Sequence, residues 1–194
     1  MTRATRSRLA VFTALALVMA ATRLHHFGIV PDASWAVFFA AGFWLRDSLR
    51  WAFPALMAVA VLVDWAVIGS AGIPFWSHYC VSPGYWFLIP AHFSLWAAGS
   101  YVRRHAEPLR WRTAMIALPA VVASATVCHF LAQGGFYWLS SVVAEPTVAG
   151  WAANFGHWYP HYLGVTVAYV GIAAMVHVAA MKLLPRGVAE TAAR

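Results

Sequence analysis

Cys80 is one of only two cysteines among 194 residues, and it sits in an aromatic stretch, FWSHYCVSPGYW, at residues 75–86. Trp76, His78, Tyr79 and Tyr85 surround it in sequence. Three readings of the thiol are open. It is an idle cysteine in interfacial filler, or it pairs with Cys128 as a disulfide in an oxidising compartment. In the third reading it is a thiolate that binds a soft or borderline metal, with a nearby histidine or tyrosine hydroxyl helping the proton leave. One cysteine does not build a metal site alone. It does supply one axial atom to a metal already held in a ring, such as a corrin or porphyrin, and neighbouring aromatic side chains then pack the ring.

The other residues able to do chemistry are few. Asp64 is the only acid inside an apolar segment, and an ionisable group there is a functional candidate by default. Its structural alternative is a hydrogen bond to a neighbouring helix. His157 and His161 are four apart and share a face if helical, so with His25 and His26 they form a candidate zinc set. Pro160 weakens a helix running through that pair, although it is able to begin one. His92 and His129 lie in separate apolar segments and could ligate a haem, which makes a membrane redox protein the alternative from another class. A structural subunit with an idle Cys80 is the third. No phosphate-binding glycine loop, GxSxG, HExxH or CxxC is present. Asp32, Asp64 and Glu145 are the only acids expected in the outer half of a membrane bundle, so hydrolysis by paired carboxylates has little to stand on.

These residues must be positioned by a membrane bundle. The chain is 62% apolar and only 10% charged, against about a quarter charged in a soluble domain. The expected fold is an all-α integral membrane protein, a single domain over residues 1–194. Six apolar segments are expected at 9–24, 33–45, 51–69, 84–102, 113–139 and 159–184. The second is short of the roughly 17–25 residues a spanning helix needs. Of thirteen Lys and Arg residues, twelve fall on one side of a six-span arrangement, and only Arg23 falls on the other. The positive-inside rule then puts both termini in the cytoplasm. A cleaved signal peptide is the alternative for the first segment and would leave five spans. The net charge of +7 marks cytoplasmic loops, and no nucleic-acid partner is expected.

Residues 25–34, 70–84 and 140–158 become the outer loops, poor in cations and rich in aromatic side chains. Some of those aromatics form an interfacial belt. Helical rise places Asp64 about 20 Å from Trp51, in the outer half. His92, Cys128 and His129 fall in that half as well. The arrangement predicts a pocket open to the outside and roofed by loops. Pro54, Pro90 and Pro119 sit early in their spans, where they start helices or shape a cavity.

The RLHHFG segment, the LVDW segment with Asp64 and the FWSHYCVSPGYW loop carry a family resemblance. With six short spans and alanine pairs in the first, the chain resembles the S-components of energy-coupling-factor (ECF) vitamin transporters, and within them the solitary cobalamin transporters of the BtuM type. The resemblance implies a multi-pass protein of the bacterial inner membrane that captures cobalamin or a related corrinoid from the periplasm. It implies Cys80 as cobalt ligand, with the upper axial group, for example cyanide, open to removal. Asp64, His25, His26 and Tyr85 would then form a polar shell, with Trp76, Tyr79 and Tyr85 around the ring. It also implies that Ala10 and Ala14, or Ala16 and Ala20, form a small-residue face able to dock an ECF-type coupling module; ordinary helix packing explains the same spacing.

Overall fold

Helix-forming apolar runs give six α-helices in the computed structural model, which describes residues 2–24, 30–107 and 111–183. They are α1 (Arg3–Arg23), α2 (Ser34–Trp44), α3 (Leu49–Ser70), α4 (Leu88–His105), α5 (Trp111–Leu139) and α6 (Val148–Leu183). Single 3-10 turns occupy Arg46–Ser48, Phe75–Ser77 and Pro83–Phe87. The fold is all-α, with the six expected segments forming its six helices.

Four stretches are long and apolar enough to cross a membrane: Ala4–Arg23, Arg46–Ser70, Trp111–Leu139 and Val148–Leu183. The protein is therefore a multi-pass membrane protein by length and composition. Its outward faces agree, since Leu17, Leu62, Leu118, Ile172 and Met175 all stand exposed and need an apolar medium. The fourth segment begins later as α-helix than expected, at Leu88, because Pro83–Phe87 is a 3-10 turn.

α2 has 11 residues and reaches about 16 Å, roughly half the hydrocarbon thickness. It is short because it is central. Eight of its residues, from Ser34 to Gly42 with only Trp35 left out, are buried. Its contact with α4 is backbone on backbone. A Cβ on Gly99 would strike the Phe39 carbonyl, and one on Gly42 would strike that of Trp96. Ser100 Oγ donates to the Gly42 carbonyl across this seam at 3.0 Å. Small residues permit such approach in membrane bundles, where packing and polar contacts do the holding. Phe38, Met19, Leu56, Leu95 and Trp96 fill the core around it.

The sixth segment corrects an expectation. α6 starts at Val148 rather than 159, so the connection from α5 is residues 140–147 and not a loop reaching 158. Thr147 explains the early start. Its Oγ1 accepts from the Gly150 amide at 3.1 Å, and its carbonyl from that of Trp151 at 2.9 Å, which is N-cap geometry. The helix also continues through Pro160. His157, Trp158 and Tyr159 are thus helix residues and not part of a roof loop. At 36 residues α6 is about 54 Å long, well beyond a bilayer core, and Thr166 is its only fully buried residue among those described.

Candidate functional site

α1 ends, α2 begins and α3 ends at one end of the bundle, and their polar residues meet there. Arg23, in the last turn of α1, is only 9% exposed. Its Nε donates to Asp64 Oδ1 at 2.6 Å and its Nη2 to Asp64 Oδ2 at 2.8 Å, a bidentate pair with α3. Nη1 donates to Asp32 Oδ2 at 2.9 Å and to Ser34 Oγ at 3.2 Å, which ties in the start of α2. Asp32 Oδ1 in turn accepts from the Ser34 amide at 2.8 Å and from its hydroxyl at 2.6 Å. The first free amide of α2 is met as well, since Thr22 Oγ1 accepts from the Ala33 N–H at 3.1 Å. An arginine among two carboxylates leaves the cluster with a formal charge of −1.

The cysteine loop is attached to this cluster. Tyr85, in the Pro83–Phe87 turn, donates its hydroxyl to Asp64 Oδ2 at 2.6 Å. The other side of the loop leans on α5. A Cβ on Gly84 would strike the Gly135 carbonyl, and one on Gly135 would lie 2.9 Å from the Phe87 side chain. Tyr79 sits edge-on to Phe136 of α5, with ring centres 6.2 Å apart. Residues 71–87 therefore bridge α3 and α5.

Cys80 is free and half-buried. The His78 Nδ1 accepts its backbone N–H at 3.2 Å, and the His78 ring lies tilted against Tyr79 with ring centres 4.4 Å apart. Burial pushes the thiol above the usual cysteine range. The neighbouring Tyr79 hydroxyl pulls it back in part, Asp64 raises it, and Arg23 lowers it. The Tyr79 hydroxyl is held above the ordinary tyrosine range, first by the same Cys80 contact. Burial, followed by the Asp64 carboxylate, raises Tyr85 further. Cys80 thus rests as a thiol, in electrostatic reach of the Arg23–Asp64 pair, and a metal must displace its proton to take the sulfur.

The remaining expected residues fall as follows. Trp76 is 78% exposed and meets Phe75 edge-on at 5.2 Å. Both oxygens of Asp64 are engaged by Arg23 and Tyr85. His25 and His26 lie outside the described residues. His157 and His161 are exposed on α6, and among the described residues no group of three or more His, Cys, Asp or Glu is placed to hold a metal. Cys128 is buried and free, so no disulfide joins it to Cys80. His92 Nδ1 donates to the Leu88 carbonyl at 2.8 Å and packs on Phe38. His129 Nε2 donates to the Phe155 carbonyl at 3.1 Å within a cage of Trp35, Phe155, Tyr159 and Tyr162. Each histidine has one nitrogen committed to its own helix or its neighbour.

The sequence reading missed Arg23 as a site residue and counted it only as the lone cation on its side. That isolation was the signal: one cation at the end of the bundle that also holds Asp32 and Asp64. Comparison with protein-family models and with curated proteins finds no match for this chain.

Proposed function

We propose that this protein binds cobalamin or a related corrinoid and carries it across the bacterial inner membrane. In this reading all six helices cross or line the membrane, both termini are cytoplasmic, and the Cys80 end of the bundle faces the periplasm. The observation that carries the reading is Cys80 itself. It is the one half-buried thiol, beside Tyr79, in a loop tied to a cluster of net charge −1. No set of three metal-ligating side chains accompanies it among the described residues, so it suits a metal that brings its other ligands in a ring. A corrin supplies four equatorial nitrogens, and the thiolate adds the lower axial atom. Tyr79 is placed to take part in the proton's departure, and the anionic cluster favours a cationic cobalt centre over a neutral one.

Cys80 is the metal ligand in this proposal. Asp64 and Tyr85 set the loop's position, while Tyr79 and Trp76, with His25 and His26 beyond them, surround the ring. Strong donation from the sulfur weakens the bond on the opposite face of cobalt, so an upper cyanide leaves with its electron pair. Such decyanation is an ancillary activity of a transporter. An ECF-type coupling module is the partner proposed to dock on α1. Ala10 and Ala14 are exposed on α1 while Ala16 and Ala20 are half-buried, which favours the first pair as the docking face.

Visible spectra test this. Wild-type protein purified with cyanocobalamin should carry a cobalamin spectrum shifted from that of the free vitamin, and Cys80→Ser should bind without the shift or not at all. An unshifted spectrum in wild type sinks the thiolate. A Soret band in the untreated preparation indicates a haem protein instead. A shifted spectrum with cyanide still on cobalt removes the decyanation step alone.

A further inference from the structure

The flank of α5 that carries exposed Phe130 and Trp138 faces away from Cys128 and Ala125 in the core. On that flank a cavity of about 460 Å³ lies between the end of α5 and the beginning of α6. Its walls include Phe87, Leu131, Gly134, Trp138, Val148 and Trp151. The volume is within the range of roughly 300–1,000 Å³ typical of small-molecule sites. The lining side chains are aliphatic or aromatic, two of them tryptophans, and the Nε1 of Trp151 is buried without an acceptor. Gly134 makes the room, because a Cβ there would meet only Trp151 Nε1, at 3.7 Å.

The mouth is formed by exposed side chains, Trp138, Leu139 and Val148. Both helices are long and apolar enough to cross a membrane, and a mouth of exposed tryptophan, leucine and valine suits acyl chains better than water. An empty apolar space loses the dispersion contacts its walls would otherwise make. A lipid tail gains nothing merely by leaving other tails; it gains by filling this space. A carbonyl carried in with it gives the Trp151 N–H the partner it lacks, and an unmet buried donor is destabilising.

We propose that this groove binds one membrane phospholipid, taking an acyl chain against Gly134 and Leu131 with the ester carbonyl accepting from Trp151 Nε1. The occupant also abuts Phe87, two residues after the Tyr85 that is bonded to Asp64. The proposal does not depend on what Cys80 binds.

Photolabelling tests it without any corrinoid. The full chain is placed in vesicles of phosphatidylethanolamine and phosphatidylglycerol doped with a diazirine-acyl phosphatidylcholine, irradiated and mapped by mass spectrometry. Peptides carrying Leu131–Leu139 and Val148–Trp151 should label severalfold more than the exposed α6 surface around Ile172 and Met175. Gly134→Leu, which fills the groove, should bring that excess down to the α6 level. Val148→Trp should do the same from the rim, where Val148 is 71% exposed and its replacement spares the core. Even labelling of the apolar surface overturns the proposal, as does an excess that survives both variants. So does a polypeptide found crosslinked in the groove in place of lipid.

Discussion

Two seams of this bundle, α2 on α4 and α5 on α6, are built on different principles. Between α2 and α4, glycine lets backbone meet backbone, a serine bonds across, and the flanking core is closed. Between α5 and α6, a cavity remains, and three of the buried side-chain atoms without partners sit on just two residues, Gln133 and Trp151. The end of the first seam is further clamped by the Arg23–Asp64–Asp32 cluster, while α6 buries only Thr166 completely. α1 to α5 form a frame, since α5 adds Val121 and Cys128 to the core; α6 is more lightly buried against it. The cysteine loop bridges two of its helices, fixed to Asp64 of α3 through Tyr85 and resting on α5 through Gly84 and Tyr79.

Breaking the frame should have the largest effect. Arg23→Ala leaves Asp64 and Asp32 without their common cation, and removing one partner of a buried ion pair costs about 3–5 kcal/mol. Arg23→Lys should recover only part of this, since an ammonium does not reproduce the bidentate fork. Thermal unfolding in detergent measures both. If Arg23→Ala melts like wild type, the cluster is not what clamps α1, α2 and α3.

Glycine substitutions sharpen the contrast between seams. Gly99→Ala forces a methyl into the Phe39 carbonyl and should destabilise by about 1–3 kcal/mol or more. Gly164→Ala on α6, where nothing lies within 4 Å of the new Cβ, should instead be neutral or stabilise by about 0.4–1 kcal/mol. Equal losses at both positions would mean that α6 is packed as tightly as α4.

The frame and the loose seam were not equally legible in the sequence. Apolar length alone located α3 and α5 closely: 51–69 became Leu49–Ser70, and 113–139 became Trp111–Leu139. The α6 start was misplaced because its aromatics and histidines resembled a loop. The Pro146–Thr147 cap that begins it was the available signal. The Arg23–Asp64 pair joins residues 41 apart, and no periodicity reports such a pairing, although the charge count isolated Arg23. Cys80 stands out in the sequence by its aromatic company, yet the seating of its loop on α5 arises only from the way residues 71–87 fold back. Close approaches such as Gly84 on Gly135 depend on two backbones at once, and neither local sequence announces the other.

Gln133 probes the loose seam from the opposite direction. Its amide nitrogen and oxygen are both buried without partners, and such groups destabilise by about 1–3 kcal/mol when unmet. Gln133→Leu should therefore raise the melting temperature, against the usual sign for a buried substitution. A drop in stability would show that the amide is satisfied, for example by water, and that the seam is better matched than its protein atoms alone indicate.

The smallest effect concerns the loop that bridges α3 and α5. If Cys80 takes cobalt as a thiolate, binding releases its proton, so affinity should rise with pH by about tenfold per unit below the thiol's pKa. Burial raises that pKa above the ordinary value, so the rise should continue beyond about pH 8.5, where an unperturbed cysteine would level off. The neighbouring Tyr79 hydroxyl opposes the burial effect. Tyr79→Phe removes that help, keeps the ring against Phe136, and should shift the binding curve to higher pH while leaving its high-pH plateau unchanged. Titrating corrinoid spectra against pH for the two proteins separates the cases. A lower plateau in Tyr79→Phe would make Tyr79 a packing residue for the ligand, and superimposable curves would mean that its hydroxyl does not tune the thiol at all.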